Sequence, residues 1–123
     1  MASGPVDPAN FTSTIDNPWF PLTPGATLTY QGTKDNLPAV RVLAVTSKTK
    51  VIDGVTCVVT EDKLSLAGQP SERTQGYYAQ DRQGNVWYFG ELNQELNKTG
   101  RVINTEGWEA GLDGALPSFL MEA

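Results

Sequence analysis

The sequence predicts an all-β fold, an antiparallel meander that closes into a small barrel or a strongly curved half-barrel, with little or no helix. Three observations predict this class. Short runs rich in Val, Thr and aromatic residues recur along the chain, separated by turns that contain Gly. Several of these runs alternate apolar and polar residues with the period of a strand. No amphipathic helical pattern is sustained over about 11 residues.

The first 25 residues are predicted to form an extended, Pro-rich segment that precedes a single antiparallel β domain over residues 26–123. Five of the eight prolines lie in this segment, and they forbid a helix interior. Its motif "NPWFPL" is aromatic and apolar. We therefore expect Trp19, Phe20 and Leu22 to lie across the mouth or the edge of the sheet. A Pro-Gly turn then leads into the first strand, "ATLTYQG".

The middle of the chain predicts consecutive strands. The run "AVRVLAVTS" is largely apolar on both faces, which places it inside the sheet rather than at an edge. In "KTKVIDGVTCVVTED" the pair Asp53-Gly54 lies between Val-rich arms, a strong signal for a two-residue hairpin turn that pairs Ile52 with Val55. The run "KLSLAGQPSER" predicts a short strand and a turn over residues 68–70.

The segment "YYAQDRQGNVWYFGEL" predicts a hairpin whose register can be derived. A three-residue loop with Gly84 in the left-handed conformation makes Asp81 face Asn85. Continued without interruption, this register pairs Gly76 with Gly90 and leaves a glycine notch in the sheet. One face then carries Tyr77, Ala79, Trp87 and Phe89, and the other carries Tyr78, Gln80, Val86 and Tyr88.

A fourth hairpin is predicted in "ELNQELNKTGRVINT", with its turn over residues 98–100. From Glu106 onward closely spaced glycines predict a loop or a single irregular turn rather than a helix. The end of the chain, "LPSFLMEA", is expected to be extended.

Composition and charge limit the function. The 123 residues carry a net charge of −5, a pI near 4.5 and scattered basic residues, so no nucleic-acid partner is expected. No apolar run approaches the roughly 20 residues of a membrane span. The absence of His and the single cysteine, Cys57, exclude Ser-His-Asp and Cys-His nucleophile systems and His- or thiolate-cluster zinc sites. No cofactor is expected, and Cys57 is predicted to be a small buried hydrophobe.

The leading candidate site is aromatic. Tyr30, Tyr78 and Tyr88 are predicted to line a concave face, together with Trp19 or Trp108. A tyrosine offers a large apolar body with a polar tip, which suits the wall of a pocket for a flat or apolar molecule. The favoured hypothesis is thus a non-enzymatic domain that binds a small apolar or aromatic ligand. The alternative is that these rings pack in the interior or face solvent.

Carboxylates near Trp108 support a second hypothesis, a glycan-processing enzyme or a carbohydrate-binding module. The set consists of Glu91, Glu95, Glu106, Glu109 and Asp113. Paired carboxylates roughly 5–10 Å apart can perform acid-base chemistry on a glycoside. Glu109 and Asp113 are the candidate catalytic residues, and solvated surface charge is the alternative. Asp81 and Asn85 could ligate a cation, but turn chemistry explains both, so no metal site is expected.

Four segments, "NPWFPLTPGATLTYQG", "KVIDGVTCVV", "YYAQDRQGNVWYFGE" and "GWEAGLDGA", occur in this order and cover about two fifths of the chain. In them the chain resembles a family of uncharacterised bacterial exported or lipoprotein-like proteins. The resemblance implies an extracytoplasmic β domain that is secreted, periplasmic or lipid-anchored, and it supplies no catalytic residues.

Members of this family often continue for further strands after the "WEAGLDGA"-like segment. The resemblance therefore implies that the β domain is truncated at its C-terminus. A sheet without its last strands exposes an edge that can pair with another chain. This gives a third hypothesis, a self-assembling structural or interaction subunit that forms a homo-oligomer through an exposed sheet edge.

Overall fold

The structure, a computed structural model, describes residues 7–112 and 114–121. This part of the chain contains eight β-strands and one three-residue 3-10 helix, Pro8–Asn10. The predicted all-β class is confirmed, and the antiparallel sheet curls into a half-barrel. The strands are β1 (Phe11–Thr12), β2 (Thr27–Lys34), β3 (Leu37–Ile52), β4 (Val55–Leu66), β5 (Gln69–Asp81), β6 (Val86–Leu96), β7 (Val102–Glu109) and β8 (Ser118–Met121).

Six strands follow one another across the sheet in chain order, from β2 to β7, and each neighbouring pair is antiparallel. The short strands β1 and β8 pair with β5 and β6. Since β5 occupies one edge of β6 from Val86 to Glu95, β7 and β8 share the other edge. The strand β2 lies at one edge of the sheet, and all of its residues are exposed. Self-association through an exposed sheet edge stays a prediction. Within the described ranges, no helix is long and apolar enough to span a membrane.

The turn between β3 and β4 is the predicted one. Ile52 pairs with Val55, and both Asp53 (φ 49°) and Gly54 (φ 79°) are left-handed, as a type I′ hairpin requires. The same geometry recurs between β2 and β3, at residues 35–36.

The next turn lies one residue earlier than predicted. Ala67 and Gly68 form it, so that Leu66 pairs with Gln69, and residues 69–70 already belong to β5. Pro70 is tolerated inside this strand because the register shifts beside its partner, and a proline has no N–H to donate there.

The register predicted for the β5–β6 hairpin is confirmed near the loop and is wrong farther from it. The Asp81 N–H donates to the Asn85 carbonyl at 2.9 Å, and Tyr78 pairs with Tyr88 as predicted. A β-bulge then intervenes, so that Tyr77 pairs with Gly90 rather than with Phe89. The predicted pairing of Gly76 with Gly90 is therefore wrong, because the extra residue shifts all later pairs by one.

The two faces of the sheet each carry an apolar cluster. The separation predicted for the β5–β6 hairpin is confirmed, because Tyr77 and Phe89 lie in one cluster and Tyr78 and Val86 in the other. Cys57 is buried, and burial raises the pKa of its thiol to about 12, which confirms its role as a small hydrophobe. The first cluster contains Ile52, Val55, Cys57, Val59, Tyr77, Ala79, Trp87, Phe89 and Ala110. The second contains Ile15, Leu22, Val45, Val58 and Val86, with Phe20, Ala26, Tyr78 and Met121 against it.

The N-terminal segment covers the second cluster. Ile15 and Leu22 are buried there and are joined by a backbone hydrogen bond of 3.0 Å. Gln80 of β5 holds the segment in place: its side-chain oxygen accepts hydrogen bonds from the backbone N–H groups of Asp16 and Asn17, and its amide donates to the Asp16 carboxylate at 2.7 Å. The segment is thus part of the folded core.

Replacing Gln80 by alanine is expected to lower the free energy of unfolding by about 2 kcal/mol, because two N–H groups lose their acceptor in a largely buried place. Urea unfolding measures the loss, and hydrogen exchange should show faster exchange at residues 15–22. The matched control is Gln31→Ala, the same change at an exposed position of β2. Equal effects of the two substitutions would contradict the anchoring role.

Candidate functional site

A row of aromatic side chains crosses β5, β6 and β7 on one face of the sheet. Phe20 packs against Tyr78 with 5.5 Å between ring centroids, Tyr78 against Tyr88 with 4.9 Å, and Tyr88 edge-to-face against Trp108 with 5.6 Å. We call these four side chains the aromatic row. It brings together three of the residues predicted as ligand-binding: Tyr78, Tyr88 and Trp108.

Gly76 makes room for this row. A Cβ atom at that position would lie 2.8 Å from Cε2 of Tyr78 and 2.9 Å from Oγ1 of Thr60. The Tyr78 ring therefore lies back over its own strand, in space that only glycine leaves free. The notch predicted at Gly76 is thus filled by the Tyr78 side chain.

The bulge at Gly90 adds a carboxylate to the tyrosine face. In the uninterrupted register Glu91 would oppose Gln75 and point to the opposite face, whereas in the structure it pairs with Gly76. The Tyr88 hydroxyl consequently donates a hydrogen bond of 2.7 Å to Oε1 of Glu91. Burial, with this hydrogen bond, raises the pKa of Tyr88 strongly. A glycine after three aromatic residues was the available sequence signal for such a bulge.

Two adjoining recesses lie along this face. The outer one has a volume of about 540 Å³ and the inner one about 240 Å³, and they share Arg41, Leu43, Asp62 and Tyr78 in their walls. We call the two recesses together the tyrosine trough. Phe20 and Tyr30 line its outer part, and Tyr88 and Glu91 line its inner part.

The remaining predicted aromatic residues have different positions. Tyr30 lies in the wall of the outer recess but is 52% exposed. Trp19 is 72% exposed, and it is Phe20, the next residue, that packs against Tyr78. Trp19 was the predicted ring, whereas the direction of the chain through the N-terminal segment turns Phe20 inward.

Charged groups cross the floor of the trough. Arg41 Nε lies 3.3 Å from the Asp62 carboxylate, and Lys34 Nζ lies 3.7 Å from that of Glu72. Burial raises the pKa of Asp62; Arg41 lowers it and Glu72 raises it further. The pKa of Tyr78 is raised by burial first and then by the neighbouring carboxylates of Asp62 and Glu91.

Asn93 supplies an acceptor without a donor. Its side-chain oxygen is buried in the wall of the inner recess and receives no hydrogen bond from any described residue. A buried acceptor in this condition loses hydration without compensation. Arg41, Asp62 and Asn93 were not predicted as site residues, and Glu91 was predicted only among the carboxylates of the glycan hypothesis. Each of these residues reaches the trough through strand pairing.

A further recess of about 650 Å³ lies beside β7, shares Glu91 with the trough, and includes Lys50, Tyr77 and Glu109 in its walls. Glu109, a candidate catalytic residue in the glycan hypothesis, forms an ion pair of 3.2 Å with Lys50 Nζ, which lies 5.5 Å from the Tyr77 ring centroid. Asp113, its proposed companion, lies outside the described residues. Glu91, Glu106 and Trp108, which belong to the same hypothesis, also line this recess.

The Asp81 carboxylate belongs to its turn. Oδ1 accepts hydrogen bonds from the backbone N–H groups of Gln83 and Asn85, and Oδ2 accepts from the side chains of Asn85 and Trp87, all between 2.9 and 3.1 Å. These donors occupy both oxygens. In the described part of the chain no group of three or more His, Cys, Asp or Glu side chains is arranged to hold a metal ion.

Comparisons with protein-family models, with curated proteins and with solved structures found no match to this chain.

Proposed function

We propose that this chain is a non-enzymatic binding domain that holds a small molecule with an apolar or aromatic body in the tyrosine trough. The observation that carries the proposal is the aromatic row beside the recesses. Flat aromatic rings next to a recess with a few polar groups are typical of small-molecule sites. Burial of a ligand against Tyr78 and Tyr88 would remove apolar surface of both the ligand and the protein from water.

The acidic groups of the trough are held in place by neighbouring side chains. Asp62 is paired with Arg41, Glu72 with Lys34, and Glu91 accepts the Tyr88 hydroxyl. Each carboxylate is thus oriented by a neighbour in the folded chain and can contribute to the shape of the pocket. We further propose, from the family resemblance, that the domain works outside the cytoplasm.

The binding proposal is tested with N-phenyl-1-naphthylamine, a neutral aromatic probe whose fluorescence rises in apolar surroundings. The chain is expected to bind it, and Tyr88→Leu is expected to weaken binding about fivefold, since the loss of one aromatic contact costs about 1 kcal/mol. Fluorescence titration of the folded proteins measures both affinities.

The matched control is Tyr77→Leu, the same change on the neighbouring strand but on the opposite face. It is expected to lower stability while leaving the affinity for the probe unchanged. Failure of the unmodified chain to bind the probe, or an equal loss of affinity in both variants, would refute binding in the trough.

A further inference from the structure

The inner recess has an excess of negative charge. Its described walls contain the carboxylates of Asp62, Glu72 and Glu91 and the guanidinium of Arg41. Lys34, which pairs with Glu72, lines the outer recess instead. A recess with low-dielectric walls and a net negative charge attracts cations.

Glu91 is the carboxylate with capacity left for a ligand. Oε1 accepts the hydroxyl of Tyr88, and Glu91 forms no ion pair with any described residue. A carboxylate can accept several hydrogen bonds, and those from a charged donor are the strongest. A cationic donor placed beside Glu91 would therefore meet an acceptor that is already held in position.

Asn93 requires a donor at the same place. It lines the inner recess with Glu91, and its buried side-chain oxygen has no donor within the described ranges. An apolar ligand would leave this oxygen unsatisfied, and an anion would face it with another acceptor. Rotation of the Asn93 amide toward the recess would allow a ligand with N–H groups to satisfy it.

The aromatic row also favours a positively charged ligand. The faces of Tyr and Trp rings carry negative electrostatic potential and attract cations within about 6 Å of the ring centroid. Tyr78 and Tyr88 line the inner recess, and the rings of Tyr88 and Trp108 are in T-shaped contact.

We propose that the ligand class of the tyrosine trough is an organic ammonium ion: a protonated amine that donates to Glu91 and Asn93, attached to an apolar or aromatic body that lies along the aromatic row. This inference rests on the proposed binding function and adds the charge and the donor groups of the ligand. The positive charge of an ammonium ion would also counteract the rise in the pKa of Asp62 that the Glu72 carboxylate causes.

The test compares three probes of similar size by isothermal titration calorimetry at pH 7: 2-phenylethylammonium, neutral 2-phenylethanol and anionic 3-phenylpropionate. The cation is expected to bind about tenfold more tightly than the alcohol, with the anion weakest. Glu91→Gln, which retains an oxygen for the Tyr88 hydroxyl, is expected to remove most of this cation preference while retaining affinity for the alcohol.

The matched control is Glu61→Gln on β4. Glu61 lies one residue from Asp62, points to the opposite face and lines a different recess, so the cation preference is expected to persist. The comparison of the three probes on the unmodified chain stands even if Glu91→Gln fails to fold.

Alcohol binding equal to or tighter than cation binding overturns the inference, as does an unchanged cation preference in Glu91→Gln. The outcome with N-phenyl-1-naphthylamine separates the two proposals. If that probe binds and depends on Tyr88 while the cation shows no advantage, the trough is a site for neutral molecules. If neither probe type binds, the site itself is refuted.

Discussion

Replacing Gly90 by alanine is expected to lower the free energy of unfolding by about 3 kcal/mol, the combined cost of a strained backbone and of overpacking. Gly90 has φ 152°, and a Cβ atom there would lie 2.3 Å from the Trp108 carbonyl oxygen and 3.1 Å from Cα of Glu109. The obstacle is backbone of β7, which a rotamer change cannot move. Urea or thermal unfolding of the two proteins measures the loss.

The control for Gly90→Ala is Gly100→Ala. Gly100 also has a positive φ, 84°, but a Cβ atom there would meet no other atom within 4 Å, so only the backbone preference is tested. The difference between the two variants isolates the close approach of β6 and β7. Similar losses in both would contradict the tight contact at the bulge.

Replacing Asp81 by asparagine is expected to lower the free energy of unfolding by about 3 kcal/mol. Asp81 is 2% exposed, and both of its oxygens accept hydrogen bonds from N–H donors of Asn85, Trp87 and Gln83. An asparagine would turn an NH₂ group toward one pair of these donors and leave them unsatisfied. Chemical unfolding of the folded variant measures the effect.

The pH dependence of stability gives an independent readout of the same group. Burial alone would raise the pKa of Asp81, but the hydrogen bonds from Asn85, Trp87 and Gln83 outweigh it and hold this pKa below the usual value. The carboxylate therefore contributes stability that is present above the pKa of the unfolded chain, about 3.9, and is lost as pH falls through the lower folded pKa.

Below about pH 4 the free energy of unfolding of the parent chain should therefore fall as Asp81 becomes protonated. The Asp81→Asn variant lacks this carboxylate, so its free energy of unfolding should fall less over the same pH range. Asp35→Asn makes the same chemical change in the exposed β2–β3 turn and should retain the acid sensitivity of the parent. An unchanged acid profile in Asp81→Asn would show that the turn does not depend on the ionised carboxylate.

Much of the fold could be predicted because its signals are local. An Asp-Gly pair between two strand-forming arms favours a type I′ turn. The alternation of strand side chains assigns Tyr78 and Tyr88 to one face before any packing is known. The aromatic part of the candidate site followed from this alternation, since Tyr78 pairs directly with Tyr88.

The acidic part of the site could not be predicted in the same way. Glu91 reaches the trough through the bulge at Gly90, and the bulge reflects the contact between Gly90 and the backbone of β7, a strand that follows later in the chain. Arg41 and Asp62 meet because β3 and β4 pair with a shifted register. Contacts of this kind depend on distant partners, which no short window of sequence contains.

The sequence by itself determined the class of the fold, the turn of the β3–β4 hairpin, and the separation of Trp87 and Phe89 from Tyr88, because backbone conformation and strand periodicity are properties of neighbouring residues. The tertiary structure alone decided that Phe20 rather than Trp19 joins the aromatic row, that Tyr78 fills the space over Gly76, and that Glu91 stands beside Tyr88. These arrangements depend on how separate strands pair and pack, and a single extra residue in one strand reverses the face of every residue beyond it.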